Sequence, residues 1–436
     1  MFTPSRYTTR AVQVVGVTVT AALLATGCGR SEDSGPGKDA PAKVSSGKAT
    51  GKLVMWSMGD PDQPPNKALK NLAKEFEQQN PDVQVQINAV PWDGAHEKLT
   101  TAIAGGNTPD LSLVGTTWMA EMAAMNGFQA TPASFKASAF FPGQWGTTTY
   151  KDTAYGVPFT ADTSVIYYRT DLTEKAGIKG APADDWAGYL KDLKAIQATA
   201  GQQNPKMRNA TGLLTGFNSW LFWLPLVWQQ GGDIYDAETK KFTFDSPAVA
   251  KALEYYGGIF KDGMAPTDKT DLNQNFQDGL LGTLQQGAST GGNLHLNAPE
   301  LDSKWQTMPL PQGTQAAGLA AGSDLAVFKE ADNPDAAWKF VQFLTDPKNL
   351  ASYAEATGEL PAAVKSWSEG KLGQDPKMAA FETQLKVTKA PPSITTWQQV
   401  ADAIDSELEK LSFGKTTAAQ VQKALQSKAT SIGTGR

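Results

Sequence analysis

Between residues 51 and 127, strand-like apolar runs alternate with apolar side chains at helical spacing, and nothing else in the chain restricts its fold as much. The run KLVMWS (52–57) reads as a buried strand closed by Gly59-Asp60-Pro61. Ala68, Leu69, Leu72, Ala73 and Phe76 share one helical face, and Asn80-Pro81 stops that helix. Val83, Val85 and Ile87 alternate with polar residues, as in a strand. A helix over about 94–104, a strand in PDLSLVG (109–115) and a helix in TWMAEMAAMNG (117–127) complete the series. Strand–helix–strand–helix–strand predicts an α/β fold with a helix-covered, mostly parallel sheet. Such sheets take ligands at the carboxyl ends of their strands, here 56–60, 90–93 and 115–118. Each end offers a Trp, and two have an Asp nearby. One Trp would be explained by packing; three at equivalent ends point to a site.

The N-terminus is of another kind. The first ten residues hold Arg6 and Arg10 and no acid, and Ala11 to Ala25 is nearly all Ala, Val, Leu, Thr and Gly. That run, about 15 residues, is shorter than the roughly 17–25 a membrane-spanning helix needs. Residues 1–27 are therefore expected to be an export signal. The single cysteine, Cys28, follows at once, and LLATGC (23–28) resembles the lipobox of bacterial lipoproteins, with Ala25 where Leu is usual. That resemblance implies a lipid on the sulfur; a bystander or structural thiol is the alternative. Residues 28–50 carry Gly, Ser, Lys, Asp and Pro with little to bury, so a disordered tether is expected.

With its thiol used, the folded part has no cysteine for disulfides or metal, and only His96 and His295 remain, too few for a multi-histidine site. Net charge is −5 with Lys and Arg scattered, which argues against nucleic acid. Roughly 385 residues after the tether suit two domains.

The stretch GVPFTADTSVIYYRTDLTEKAGI (156–178) is similar to the signature of family 1 extracellular solute-binding proteins, the sugar receptors of ABC importers. Gly156, Pro158, Tyr168, Asp171 and Leu172 carry the match, and Arg169 stands where Asn is usual. KEFEQQNPDVQVQINAVPWDGAHEKLTTAIAGGNTPDL, FWLPLVWQQGGDIYD, AGSDLAVFKEADNPDAAWKFVQFLTDP and TTWQQVADAIDSELEKLSFGKTTAAQVQKAL extend the likeness over the mature chain. The resemblance implies a periplasmic-binding-protein-like fold: two α/β lobes, a hinge and a ligand cleft. It divides the chain into 51–161 plus 288–335 and 162–287 plus 336–436. It further implies no enzyme activity, no cofactor, a monomer, a di- or small oligosaccharide ligand, ABC permease subunits as partners, and a place on the outer face of the cytoplasmic membrane.

A sugar offers hydroxyls at its rim and C–H on its faces, so it suits carboxylates and aromatic plates. By resemblance to the maltose-binding branch, Asp60 and Asp162 match acids that receive sugar hydroxyls, and Trp397 matches a stacking plate. A turn Asp that only binds backbone is the competitor for the acids. Core packing competes for Trp397, three residues before Val400 on a buried face. Trp118 heads a helix beside Thr116 and Thr117, and one of Trp220 and Trp223 is expected to reach the cleft from an apolar helix. Gly322 and Ser323 offer N–H and hydroxyl groups, and His96 reads as a surface bystander. Related receptors carry Gly-Pro-Trp at the second crossing; Gly287-Ala288-Ser289 lacks that plate, which leaves the sugar open.

Two other readings stay open. An exported glycoside hydrolase would need two carboxyls a few ångströms apart, for which Asp60, Asp93 and Asp162 could converge. A receptor for a non-sugar solute, such as a phosphate ester, would want Arg or a Gly-rich helix start, and neither is prominent at the strand ends.

Overall fold

The computed structural model describes residues 40–435. The expected signal (1–27) and Cys28 lie outside the described residues. Two sheets organise the rest. In the first, strand order is Leu360–Pro361, Val157–Asp162, Ala321–Val327, Leu111–Gly115, Gly51–Met58, Val83–Val90. The second runs Trp305–Met308, Val165–Arg169, Leu281–Gln286, Asn209–Gly212.

The opening alternation folds as its spacing predicts. Gly51–Met58 pairs in parallel with Val83–Val90 and with Leu111–Gly115. Pro64 starts the helix Pro64–Gln79, where its missing N–H costs nothing, and Leu69, Leu72 and Phe76 are buried against the sheet. Ala95–Gly105 is bounded by Gly94 and Gly106 at φ 78° and 68°, left-handed turns that glycine makes without strain. Both sheets are mixed, however, rather than mostly parallel. Ala321–Val327 runs antiparallel to both of its neighbours, and Val165–Arg169 antiparallel to both of its own. Spacing marks a strand; it does not carry its direction.

The lobe boundaries also differ from expectation. Trp305–Met308, expected in the first lobe, hydrogen-bonds into the second sheet. The helices Pro334–Leu344 and Pro347–Thr357, expected in the second lobe, cover the first sheet, with Phe76 against Phe340 at 5.0 Å and Phe343 at 5.3 Å. The chain thus passes between sheets after Asp162, after Met308 and before the closing helices Trp397–Ser412 and Ala418–Ile432. Two of these passages pair with each other, Gly318–Leu319 alongside Thr388–Lys389.

The tether is not free throughout. Ser45 donates its N–H and hydroxyl to Asp335 at 2.6 and 2.8 Å, Ala42 donates to the Ala130 carbonyl at 3.0 Å, and Ala49 is buried. Residues 42–49 dock on the first lobe. Composition alone missed this, because the hold comes from backbone donors and two small side chains rather than an apolar run.

Arg169, the departure from the family pattern, has a local explanation. Its guanidinium is buried, grips both oxygens of Asp171 at 2.8 Å, and donates to the Phe276 and Gln277 carbonyls at 3.1 and 3.2 Å, at the end of the helix Leu272–Gln277. A cation there complements the negative helix end.

Candidate ligand-binding site

The carboxyl ends of the first parallel strands form one edge. Asn66 fixes its first loop by donating to the Met58 carbonyl at 3.1 Å and the Asp60 carbonyl at 2.9 Å. Asp60 is exposed, and one carboxylate oxygen accepts the Asp62 N–H at 2.8 Å. Trp118 lies over Gly115, where an added methyl would sit 3.2 Å from its ring. Its edge meets Trp92 at 5.6 Å and His96 at 5.4 Å. His96, expected to be a bystander, is held by Glu121 at 2.9 Å and backs this aromatic group.

Asp162 ends the first-sheet strand at the first passage. It borders a cavity of about 220 Å³ between the lobes, with Ser164, Asn218, Leu221, Phe222, Gly287 and Ser289. Solvent reaches the side chain from that cavity, while protein closes round its other sides. This desolvation raises the carboxyl to about 6; N–H groups of Thr163 and Ala288 pull it down, and the charge of Glu359 pushes it up. At neutral pH it is an ionised acceptor facing the cavity. Gly287, at the Gly-Ala-Ser crossing, leaves it room: a methyl there would lie 2.9 Å from a carboxylate oxygen.

The other expected residues are placed less openly. Trp223 is fully buried in the second core, and Trp220 is 4% exposed, so neither reaches the cavity. The residues between them, Leu221 and Phe222, do. On a helix the two tryptophans share a face three residues apart, and that face is the core. Trp397 is 2% exposed, edge-on to Trp220 at 5.1 Å, and borders a narrow space of about 20 Å³ with Thr116, Thr117 and Ala120 of the other lobe. It sits at the seam rather than as an open plate. Gly322, at φ 123°, serves the sheet: a methyl there would meet the Thr160 carbonyl at 2.2 Å, and Ser323 is buried in the ladder between Gly115 and Thr160.

Sequence reading missed Asn218, Leu221 and Phe222. The signal was available: they follow the carboxyl end of Asn209–Gly212, the same position that exposed the first-lobe residues. Of Asp60, Asp93 and Asp162, Asp162 lines the inter-lobe cavity described above, and Asp60 and Asp93 do not line that cavity. Among the described residues, no group of three His, Cys, Asp or Glu side chains could hold a metal ion.

Comparison with known proteins agrees with this geometry. The sugar-binding protein MalE of Xanthomonas citri superposes with a TM-score of 0.80 at 28% identity, covering 88% of this chain and 97% of its own. The diacetylchitobiose binding protein DasA of Streptomyces coelicolor is 27% identical over 371 residues, 80% of each chain. A lactose-binding protein of Rhizobium radiobacter is 26% identical over 81% of this chain and 82% of its own. These are binding proteins and not enzymes. Residues 60–351 match the bacterial extracellular solute-binding protein family, and the chain belongs to it.

Proposed function

We propose that the protein captures a neutral di- or small oligosaccharide between its lobes and delivers it to the permease of an ABC importer. The observation that carries this reading is the inter-lobe cavity bordered by an ionisable acceptor, Asp162, from one lobe and by Asn218, Leu221 and Phe222 from the other. A carboxylate takes hydroxyl donors and apolar walls take C–H faces, the mixed chemistry of a sugar. Binding to both walls at once favours lobe closure about the paired passages Gly318–Leu319 and Thr388–Lys389. Asp60, Trp118 and Trp397 lie at the rim and the seam of the same cleft in this reading. Relatives that bind diacetylchitobiose and lactose support the ligand class.

Lipid on Cys28 would hold the receptor at the outer face of the cytoplasmic membrane. Cys28→Ala then appears in the soluble fraction with ligand binding intact; equal retention in membranes counts against the anchor. The ligand class is tested by thermal shift with lactose, maltose, maltotriose, diacetylchitobiose and glycerol 3-phosphate, since a ligand bound only by the folded state raises its stability. A rise with a neutral saccharide is expected. A rise with glycerol 3-phosphate alone would replace the sugar with a phosphate ester.

A further inference from the structure

The second sheet has a cavity at each end of its strands. The inter-lobe cavity touches Ser164 and Gln286, where Val165–Arg169 begins and Leu281–Gln286 ends. At the opposite ends lies a pocket of about 730 Å³, whose lining includes Arg169, Asn204, Met207, Asp278, Gly279 and Leu301. A strand of five residues spans roughly 17 Å, so the two cavities are separate places. Arg169, which stands where the family usually has Asn, belongs to this far pocket.

Two of the lining side chains, Arg169 and Asn204, are 6% and 1% exposed, and each keeps a polar group to spare. A guanidinium has five N–H donors. Arg169 uses Nε and one Nη2 hydrogen on Asp171, and Nη1 on the Phe276 and Gln277 carbonyls. One Nη2 hydrogen is left without a partner among the described residues. Gly279 leaves that edge uncovered, since an added methyl would stand 3.6 Å from Nη1 and 3.8 Å from Nη2. Asn204 donates from Nδ2 to the Leu172 carbonyl at 3.2 Å and to the Thr199 hydroxyl at 2.7 Å. A carbonyl can only accept, so the amide orientation is fixed, and Oδ1 is left unpartnered. Buried polar atoms without hydrogen bonds are costly. One pocket thus holds an unused donor and an unused acceptor.

The exposed part of the lining adds charges of both signs. Lys175 and Lys206 are the cations. Asp171 is closed by the Arg169 fork, whereas Asp278 accepts from Gln274 at 2.9 Å with one oxygen and keeps the other. Leu172, Met207 and Leu301 supply apolar surface. A simple anion would meet two acceptors, Asp278 and Asn204 Oδ1, and a simple cation would meet Arg169 and both lysines. A molecule that carries both charges leaves neither set unmatched. We propose that this pocket is a second binding site, separate from the inter-lobe cavity, for a small zwitterion of the α-amino-acid type with an apolar side chain. Arg169 Nη2 and the lysines take its carboxylate, Asn204 Oδ1 and Asp278 its ammonium, and the apolar lining its side chain. The site stands independently of the saccharide reading.

The test is a thermal-shift screen of the wild-type protein against each standard amino acid at millimolar concentration. Leucine, isoleucine, valine or methionine should raise the melting temperature; no rise with any amino acid overturns the site. Calorimetric titration then compares the amino acid that binds with its carboxamide, which lacks the carboxylate, and with its deaminated acid, which lacks the ammonium. Each analogue should bind at least about tenfold more weakly. A deaminated acid or a carboxamide that binds as well as the amino acid overturns the zwitterion. Lys206→Glu and Asp278→Lys locate the site, and both residues are exposed, so the variants should melt near the wild-type temperature. Each should weaken the amino acid by about tenfold or more and leave saccharide affinity as it was. Wild-type affinity for the amino acid in both variants overturns the pocket as its place, and so does competition between the amino acid and a bound saccharide, which would put both in the inter-lobe cavity.

Discussion

The tryptophans of the two lobes share an amino acid and little else. On the first lobe, Trp92 and Trp118 occupy loops that leave parallel strands, where backbone hydrogen bonds fix the chain and the side chain is left facing outward. On the second lobe, Trp220 and Trp223 ride one face of the helix Trp220–Gln229, and that face is core. Trp397, the first residue of its own helix, is pinned edge-on against Trp220 at the seam. The difference teaches that exposure follows the element on which an aromatic sits. A loop at a strand's carboxyl end is anchored by its backbone and can spare its side chain; a helix is anchored by the side chains themselves.

The largest expected effect breaks the second half of that comparison. Trp223→Ala removes a fully buried indole and should destabilise the protein by about 3–5 kcal/mol, read from denaturant unfolding. Its saccharide affinity, measured well below the new melting point, should be unchanged. Should Trp223→Ala melt like wild type and bind weakly, the helix face assigned to the core belongs to the cleft. Trp397→Ala sits between the cases and should lose both stability and affinity, because its ring touches the core on one side and the other lobe on the other.

Next comes a pair of acids, one in each setting. Asp324 is fully buried in the first sheet, and desolvation raises its carboxyl to about 8, only partly opposed by the hydrogen bonds from Thr147 at 3.1 and 3.2 Å. An acid raised in the folded state holds its proton there while the unfolded chain has released its own. Its contribution is therefore neutral below about pH 4 and grows unfavourable as pH rises towards 8. Asp324→Asn should thus raise stability by a few kcal/mol above pH 8 and by almost nothing at pH 4. A pH-independent difference would remove the buried carboxyl as the cause.

Asp162 is the contrasting acid: desolvation raises it only to about 6, because the N–H groups of Thr163 and Ala288 oppose the rise. If its carboxylate receives ligand hydroxyls, the dissociation constant should be flat above pH 7 and weaken by up to tenfold per unit below 6. Asp162→Asn should bind more weakly at neutral pH and lose that slope. A wild-type profile without an inflection between pH 5 and 7 would detach Asp162 from the ligand.

Much of this was legible from residues alone. Periodicity over 51–127 located the strands and helices of the first lobe, and the strand-end rule located its outward-facing loops. What stayed hidden was decided by contacts distant in sequence. The destination of Trp305–Met308 depends on pairing with a strand some 140 residues earlier, and its own four residues do not encode that choice. Whether Trp220 or its neighbour Leu221 meets the cavity depends on the helix's rotation. That rotation is fixed by Asp405, which accepts from Trp220 N–H at 2.8 Å and from Ser219 hydroxyl at 2.9 Å. The same limit explains the docked tether, whose Ser45 finds its partner Asp335 290 residues away.

That docking yields the smallest effect and a clear sign. Residues 42–49 gain a few hydrogen bonds at the surface and bury one alanine, so a chain beginning at residue 50 should lose only about 1–2 kcal/mol. Saccharide affinity should not change, because the strap lies on the helix Pro334–Leu344 and not at the strand ends. The hold should also depend on pH. Partial burial raises the Asp335 carboxyl, but Lys339 at 2.7 Å and the Ser45 donors outweigh it and keep it below the ordinary carboxylate value. A depressed acid contributes stability above its unfolded pKa, about 4, and loses it as pH falls through the folded value. Hydrogen exchange at the Ser45 amide should therefore show protection at neutral pH, beyond that of residue 40, and lose it in acid. Asp335→Ala should abolish that protection at every pH. If Ser45 exchanges freely at neutral pH in the wild-type protein, the strap is not docked, and residues 42–49 return to the leash that their composition suggests.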